Sequence, residues 1–220
     1  MDDPAVRALS AVAALDEPTR RRLYEYVVRQ PEPVGRDEVA AATAVARATV
    51  AFHLDKLVAE HLLDVTYERR TGRTGPGAGR PAKLYHRSDR QVTVSLPARR
   101  YDLAGHLLAA ALEEAGRSGC PPGPILREHA RRLGEELGAA AGSVLRTLTD
   151  HGFEPRADGS GVVLGNCPFH RLAESHTELV CGMNLGLVKG LLHGAGDPSL
   201  RAELAPTPGH CCVRLTRTSD

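Results

Sequence analysis

The sequence lacks the features that mark membrane proteins, secreted proteins and strongly basic chromatin-like proteins. No run of about 18 consecutive apolar residues occurs. The start, Met1-Asp2-Asp3-Pro4, is acidic where a signal peptide carries basic and then apolar residues. The formal net charge is only +1 for 220 residues, so any binding to nucleic acid requires a local basic patch. These absences predict a cytoplasmic protein with no membrane partner.

Sequence motifs of common enzyme classes are also missing. The chain contains no glycine-rich phosphate loop, no carboxylate pair and no HExxH motif. An enzyme remains an alternative, because Cys167 with His170 or His176 has the chemistry of a nucleophile and its base. We expect no enzymatic activity.

The cysteines are few and unevenly distributed. Four of the five, Cys167, Cys181, Cys211 and Cys212, lie in the last quarter of the chain, and Cys120 has no cysteine near it in sequence. A structural disulfide framework is not expected in a reducing compartment. Metal or redox chemistry is therefore predicted for the C-terminal part, with Cys120 as an incidental thiol.

The N-terminal part shows helical periodicity. A helical region from Val6 to Val28 is interrupted at Leu15-Asp16-Glu17-Pro18, where Asp16 is expected to cap the second helix. A short helix over Asp37 to Ala42 and a turn precede a longer helix over Arg47 to His61. In the longer helix, Val50, Leu54, Leu57 and Val58 form one apolar stripe. The predicted opposite face carries Arg47, Thr49, His53, Lys56 and Glu60.

A basic, glycine-rich segment follows between two predicted strands, Leu62 to Arg69 and Ala82 to Arg87. Residues 66–90 contain seven cations and two acids. The cations are Arg69, Arg70, Arg73, Arg80, Lys83, Arg87 and Arg90. Such a concentration of arginine on a loop suits phosphate contact and insertion into a narrow groove, with Arg73, Arg80 and Lys83 as candidate contacts.

Three motifs in this order resemble the ArsR-type winged helix-turn-helix regulators. They are Leu15-Asp-Glu-Pro-Thr-Arg-Arg-Arg-Leu-Tyr, Ala48-Thr-Val-Ala-Phe-His-Leu-Asp-Lys-Leu-Val-Ala-Glu-His-Leu-Leu and Gly79-Arg-Pro-Ala-Lys-Leu-Tyr. The resemblance covers Val6 to Ser88 and implies a homodimer that binds a pseudo-palindromic, double-stranded operator. Arg47, Thr49, His53 and Lys56 match the recognition helix of that family. For His53, base reading, capping, packing against the wing and phosphate contact all remain open.

The predicted fold is mainly α with a small β component (α+β). Residues 1–96 are expected to form the winged helix-turn-helix domain, and residues 97–220 a helical dimerisation segment and a small α+β metal-binding sensor domain. Helices are predicted over Ala98 to Ala115, Ile125 to Leu137, Ala139 to His151 and Glu178 to His193, with strands near Val162 to Gly165 and Cys211 to Leu215. Leu103, Leu107, Leu108 and Leu112 form either a dimer seam or internal core.

The cysteine motifs Asn166-Cys-Pro-Phe-His170, Val180-Cys-Gly-Met and Gly209-His-Cys-Cys-Val lack the close pairs of a zinc ribbon. They resemble the cysteine motifs of the SufR-like iron–sulfur regulators. Cys167, Cys181 and Cys211 match the first, second and last cysteines of that family. The resemblance implies an iron–sulfur cluster of the 4Fe–4S type, with zinc as the alternative. A further family cysteine is absent, which leaves Cys212, His170, His176 and His193 as candidates for the fourth ligand.

Together these features predict a DNA-binding repressor that is controlled by a metal centre at the C-terminal cysteines. The alternatives are a structural zinc ion, or a small organic effector that binds in the C-terminal domain.

Overall fold

The structure is a computed structural model that describes residues 4–69, 81–159 and 161–218. The chain divides into two compact units, residues 1–94 and 95–220, each with its own hydrophobic core. The fold is mixed α+β, as the sequence predicts.

The described residues of the N-terminal unit form four helices and a small antiparallel sheet. Its elements are α1 (Pro4–Ala14), α2 (Pro18–Val28), β1 (Val34–Gly35), α3 (Arg36–Thr43), α4 (Arg47–Ala59), β2 (Leu63–Glu68) and β3 (Ala82–Arg87). In the sheet, β3 lies between β1 and β2, with Leu63 opposite Arg87 and Glu68 opposite Ala82. The predicted strand pair is therefore an antiparallel hairpin, and its connecting residues 70–80 lie outside the described part.

The start of α2 differs from the prediction in its cap. Glu17, not Asp16, accepts hydrogen bonds from the backbone amides of Thr19 and Arg20. The Arg20 amide is the main reason that the pKa of Glu17 lies below its usual value. Pro18 begins the helix, where its missing N–H costs nothing.

A tight turn joins α3 to α4. Ala44 adopts a left-handed conformation with φ of 53°, which reverses the chain direction directly after Thr43. The Thr43 hydroxyl donates to the Val39 carbonyl, and the Arg22 guanidinium of α2 donates to the Thr43 carbonyl. These bonds tie the end of α3 to α2 and set the direction in which α4 leaves the turn.

In the C-terminal unit, residues 95–159 and 161–218 form five helices and a four-stranded antiparallel sheet. Its elements are α5 (Tyr101–Ser118), α6 (Pro122–Ala141), α7 (Val144–Asp150), β4 (Pro155–Asp158), β5 (Gly161–Leu164), α8 (His170–Ser175), α9 (Thr177–Gly194), β6 (Leu200–Leu204) and β7 (Val213–Arg217). The strand order is β4-β5-β7-β6. Leu126, Phe169, Met183, Leu187 and Leu215 are fully or almost fully buried in its core.

Several predicted boundaries in this unit were wrong. The two helices predicted over residues 125–151 are instead one long α6 and a short α7, because Gly138 packs inside α6 without ending it. Strand β6 and helix α8 were not predicted.

The apolar residues of α5 mostly face the internal core. Leu107 is buried, and Leu103 and Leu108 pack against the same core, whereas Leu112 is 60% exposed. Of the four leucines predicted to form either a dimer seam or internal core, three therefore pack in the core. Leu112 is the one that is exposed and could contact a second copy.

Glycines allow α6 and α9 to approach each other closely. A Cβ atom at Gly134 or Gly138 would overlap backbone carbonyl oxygens of α9. Reciprocally, a Cβ atom at Gly190 or Gly194 would overlap the carbonyl oxygens of Arg131 and Glu135 in α6. Since protein interiors are close-packed, any larger residue at these positions forces the two helices apart.

We predict that Gly190→Ala lowers the free energy of unfolding by about 1–3 kcal/mol, because the added methyl group overpacks the contact with Arg131. The matched control is Gly105→Ala in α5, where an added Cβ meets no atom within 4 Å. That variant is expected to stabilise the protein by about 0.5–1 kcal/mol, since alanine has the higher helix propensity. Urea unfolding of both full-length variants measures the difference, and equal effects would contradict this account of the packing.

Candidate nucleic-acid interface and cysteine cluster

Three segments of the C-terminal unit bring four cysteines together. Cys167 lies in the loop between β5 and α8, Cys181 lies in α9, and Cys211 and Cys212 directly precede β7. A backbone hydrogen bond from Cys211 to the Leu164 carbonyl brings the last segment to the end of β5. All five cysteines of the chain are free thiols, and Cys120 is exposed.

The four thiols contact one another in a chain that runs Cys167, Cys211, Cys212, Cys181. The hydrogen bond to Cys211, together with burial, raises the pKa of Cys167 far above its usual value. For Cys211, the contact with Cys167 lowers the pKa, but Cys212 and burial outweigh it and raise the pKa to about 11. Burial also raises the pKa of Cys181, against a hydrogen bond from Cys212 that lowers it. Cys167, Cys181 and Cys211 are therefore neutral near pH 7.

The cysteine cluster is not arranged as a ready metal site. Across residues 4–69, 81–159 and 161–218, no three His, Cys, Asp or Glu side chains are positioned to hold a metal ion. The side chains that the sequence offered as further ligands point elsewhere: His170 and His193 face Glu174 and Glu135, at 3.2 and 2.7 Å. His176 is exposed and lies at the junction of α8 and α9.

A buried amide contacts the cluster from α9. The Asn184 side chain is fully buried, and its Nδ2 donates to the Sγ of Cys211 over 3.1 Å. Its Oδ1 atom has no hydrogen-bond partner within the described residues. A buried amide oxygen without a partner is costly, so this atom is an available hydrogen-bond acceptor beside the thiols.

The loop that carries Cys167 is bound to the segment that precedes α5. The Arg99 guanidinium donates to the Asn166 side-chain oxygen and to the Cys167 carbonyl. The Asn166 amide donates in turn to the Ala98 and Gly152 carbonyls. The Arg100 backbone amide donates to the Pro168 carbonyl over 3.0 Å. We call this set of bonds between residues 98–100 and 166–168 the Arg99 clasp; the sequence alone gave no signal for it.

In the N-terminal unit, α4 presents one face to its core and one to solvent. Val50, Leu54 and Leu57 are completely buried, in agreement with the predicted stripe. Arg47, Thr49 and Lys56 are exposed, as predicted. Phe52 lies on the same side and is 68% exposed, and sequence analysis did not single it out.

His53 does not lie on the exposed face, which corrects the prediction. Its side chain is only 12% exposed, and its Nε2 faces the Glu17 carboxylate at 3.6 Å. The imidazole therefore packs against the cap of α2. Among the alternatives for His53, an inward position of this kind favours capping or packing over direct base reading.

The exposed cations near α4 are paired with carboxylates of the same unit. Arg47 pairs with Asp37, and the Nζ of Lys56 lies 2.6 Å from Glu60. The Nζ of Lys83, in β3, lies 2.5 Å from the Asp55 carboxylate, which also accepts from the Tyr85 hydroxyl. Burial acts to raise the pKa of Asp55, but the bonds from Lys83 and Tyr85 prevail and lower it. Exposed pairs of this kind contribute about 0–1 kcal/mol each, so phosphate can replace the carboxylates.

Comparison with known protein families gives a match over this unit. Residues 15–66 match the family model described as a helix-turn-helix domain. The match spans α2, β1, α3, α4 and the start of β2. Neither a curated protein nor a solved structure matches the chain significantly.

Residues 15–66 form a helix-turn-helix domain. In this domain α3, the Ala44 turn and α4 are the helix-turn-helix, and the β2–β3 hairpin that follows is in the position of a wing. The domain indicates a DNA-binding transcription regulator and favours a regulator over the enzyme alternative. None of the helices within the described ranges combines the length and apolar character that a membrane-spanning helix needs.

The predicted DNA contacts divide into three groups. Contacts between DNA and Arg47, Thr49 or Lys56, on the exposed face of α4, stay predictions. A contact between DNA and Lys83 on the hairpin also stays a prediction. Arg73 and Arg80 lie outside the described residues and also stay predictions.

Asp55 of the helix-turn-helix domain opposes DNA binding in this arrangement, because its 57% exposed carboxylate neutralises Lys83. We predict that Asp55→Asn binds a duplex about two- to fivefold more tightly at low salt, with a steeper salt dependence. The Asn oxygen still accepts from Tyr85, so the hairpin contact is kept. The measurement is fluorescence anisotropy with a duplex enriched by the wild-type chain from a random-sequence pool.

The control is Glu113→Gln, which changes the net charge equally but lies on α5 in the other unit. Weaker or unchanged binding of Asp55→Asn would mean that Lys83 does not approach the phosphate backbone.

Proposed function

We propose that the chain is a homodimeric transcriptional repressor whose operator affinity is controlled by an iron–sulfur cluster or metal ion at Cys167, Cys181, Cys211 and Cys212. The supporting observation is that four thiols from three distant segments, three of them buried, interact with one another. Isolated buried cysteines pack as small apolar residues, but a chain of four thiols is an unusual use of core volume.

The donor set suits a soft metal centre. Thiolates select zinc, copper(I) and iron–sulfur clusters, and a bound centre would link the three segments covalently and add charge that depends on redox state or metal supply. Cys212 is favoured as the fourth ligand over the three histidines, because it already contacts Cys211 and Cys181. The Asn184 amide is placed to donate to a ligand sulfur, a contact that tunes such centres.

Control of DNA binding requires a link between the cysteines and the helix-turn-helix domain. To act as metal ligands, the thiols must lose protons and rearrange. Movement of Cys167 displaces the Asn166–Pro168 loop, which the Arg99 clasp binds to residues 98–100. Those residues follow the N-terminal unit directly in the chain, so they are the segment through which the cysteine cluster acts.

Dimerisation is supported by exposed apolar residues on α1. Val6, Leu9 and Val12 are 44–55% exposed and lie at helical spacing. Two copies of the helix-turn-helix domain would read the two halves of a pseudo-palindromic operator.

A small organic effector is the second candidate signal. A cleft of about 550 Å³ lies between the end of α9 and β6, within the usual size range of ligand sites. Leu192 and Ala202 give it an apolar floor, and Lys189 and Arg201 line its rim. This cleft suits an amphipathic anion.

The chain purified without air is expected to contain iron and acid-labile sulfide and to absorb visible light. Cys167→Ser and Cys212→Ser should each lose most of the bound iron, because each removes one of the four ligands. The control Cys120→Ser should keep it, since Cys120 is exposed and outside the cluster. His176→Ala should also keep it.

Elemental analysis and absorption spectra give the result for all four variants. Zinc without visible absorption would support the structural-zinc alternative. A chain with neither metal would overturn metal control and leave the organic effector.

We expect the Arg99 clasp to couple the state of the cysteines to DNA binding. We predict that Arg99→Gln keeps the metal content of the wild type but reduces the difference in DNA affinity between metal-loaded and metal-free protein to about twofold or less, against about 5- to 150-fold for typical coupled sites. Titrations of both forms with the enriched duplex measure the ratio.

Arg117→Gln is the matched control, because Arg117 lies at the far end of α5 from residues 98–100. An unchanged ratio in Arg99→Gln would show that the clasp does not transmit the state of the cysteines.

A further inference from the structure

We infer that Phe52 is a specificity-determining residue of α4 whose ring contacts the 5-methyl group of a thymine in the major groove. The inference rests on the DNA binding of the proposed function and adds a residue and a base to it. It requires no metal and no particular signal.

Phe52 lies on the outward side of α4. Thr49, Phe52 and Lys56 lie at helical spacing on the exposed side of α4, opposite the completely buried Val50, Leu54 and Leu57. Because α4 is the second helix of the helix-turn-helix, this exposed side is the one that enters the groove. A ring that is 68% exposed there is the largest apolar surface on that side of the helix.

Phe52 packs against the neighbouring His53. Its ring meets the His53 imidazole edge to face, with centroids 5.2 Å apart. His53 is itself held by the Glu17 cap of α2. His53 therefore supports the aromatic ring beside it, and this preorganised ring loses little conformational entropy on binding.

The chemistry of the major groove determines which base edge suits the ring of Phe52. Major-groove base edges are hydrogen-bond donors and acceptors, except for the 5-methyl group of thymine, which is the apolar group in unmodified DNA. A phenyl ring against any other edge would remove water from polar atoms without replacing their hydrogen bonds. Arg47, Lys56 and Lys83 lie around this face and suit the flanking phosphates, whereas Asp55 is occupied by Lys83 and Tyr85.

The test begins with selection of duplexes from a random-sequence pool by the full-length wild type and by Phe52→Ala. The wild type is expected to enrich a site with a thymine at one position per half-site, where Phe52→Ala accepts any base. Phe52→Leu should keep part of the preference, because its side chain is still apolar. Leu145→Ala, an exposed apolar residue of the other unit, should enrich the wild-type site.

The decisive measurement replaces that thymine by uracil, which lacks only the methyl group. We expect the wild type to bind the uracil duplex about fourfold more weakly per half-site, the effect of one buried methyl group, and Phe52→Ala to bind both duplexes within a factor of two. If no thymine of the wild-type site shows this loss, the inference is overturned whatever the variants do. If the wild type enriches no duplex at all, the proposed DNA binding fails first.

An enriched site with the same thymine-to-uracil ratio in wild type and Phe52→Ala would leave DNA binding intact and remove Phe52 from recognition. Loss of duplex binding by Phe52→Ala with an unchanged uracil effect in Phe52→Leu would likewise contradict the thymine contact.

Discussion

The burial of Val50, Leu54 and Leu57 determines the arrangement of the helix-turn-helix domain, because it decides which side of α4 faces outward. These side chains leave no freedom for the helix to rotate, since each would expose apolar surface worth about 1.5–3 kcal/mol. Thr49, Phe52 and Lys56 are outward as a consequence. The same constraint holds His53 at the edge of the buried stripe, where Glu17 faces it.

Features of the helix-turn-helix domain were predictable from the sequence where the pattern that indicates them is local. The stripe of α4 and the hairpin strand Ala82–Arg87 follow from periodicity, and the structure has them where the sequence placed them. His53 was misplaced because it borders the stripe, and only the distant Glu17 decides to which side it belongs. Phe52 was missed because an aromatic residue in a helix is ordinarily core, although the predicted stripe of Val50, Leu54 and Leu57 already places it on the opposite side.

In the C-terminal unit the errors have a common cause, which is contact between remote segments. Gly138 has the local signature of a break, yet α6 continues through it because α9 needs the space that a side chain would fill. The sequence grouped Cys167, Cys181 and Cys211 as one site, but it left the fourth partner open. The thiol contacts of Cys212 depend on how β7 meets the end of β5, and no spacing rule contains that information.

In the function that we propose, the Arg99 clasp also limits how strongly the cysteines would influence DNA binding. A signal at one site shifts the affinity at another only by the difference in its binding free energy between the two states. The clasp consists of a few hydrogen bonds, each with a net contribution of about 0.5–1.5 kcal/mol, or more where the guanidinium takes part. Breaking them costs a few kcal/mol, which is the range of free energy that typically couples two sites. A much stronger link would lock the loop of Cys167 in place, and the cysteines would then be unable to rearrange when a ligand arrives.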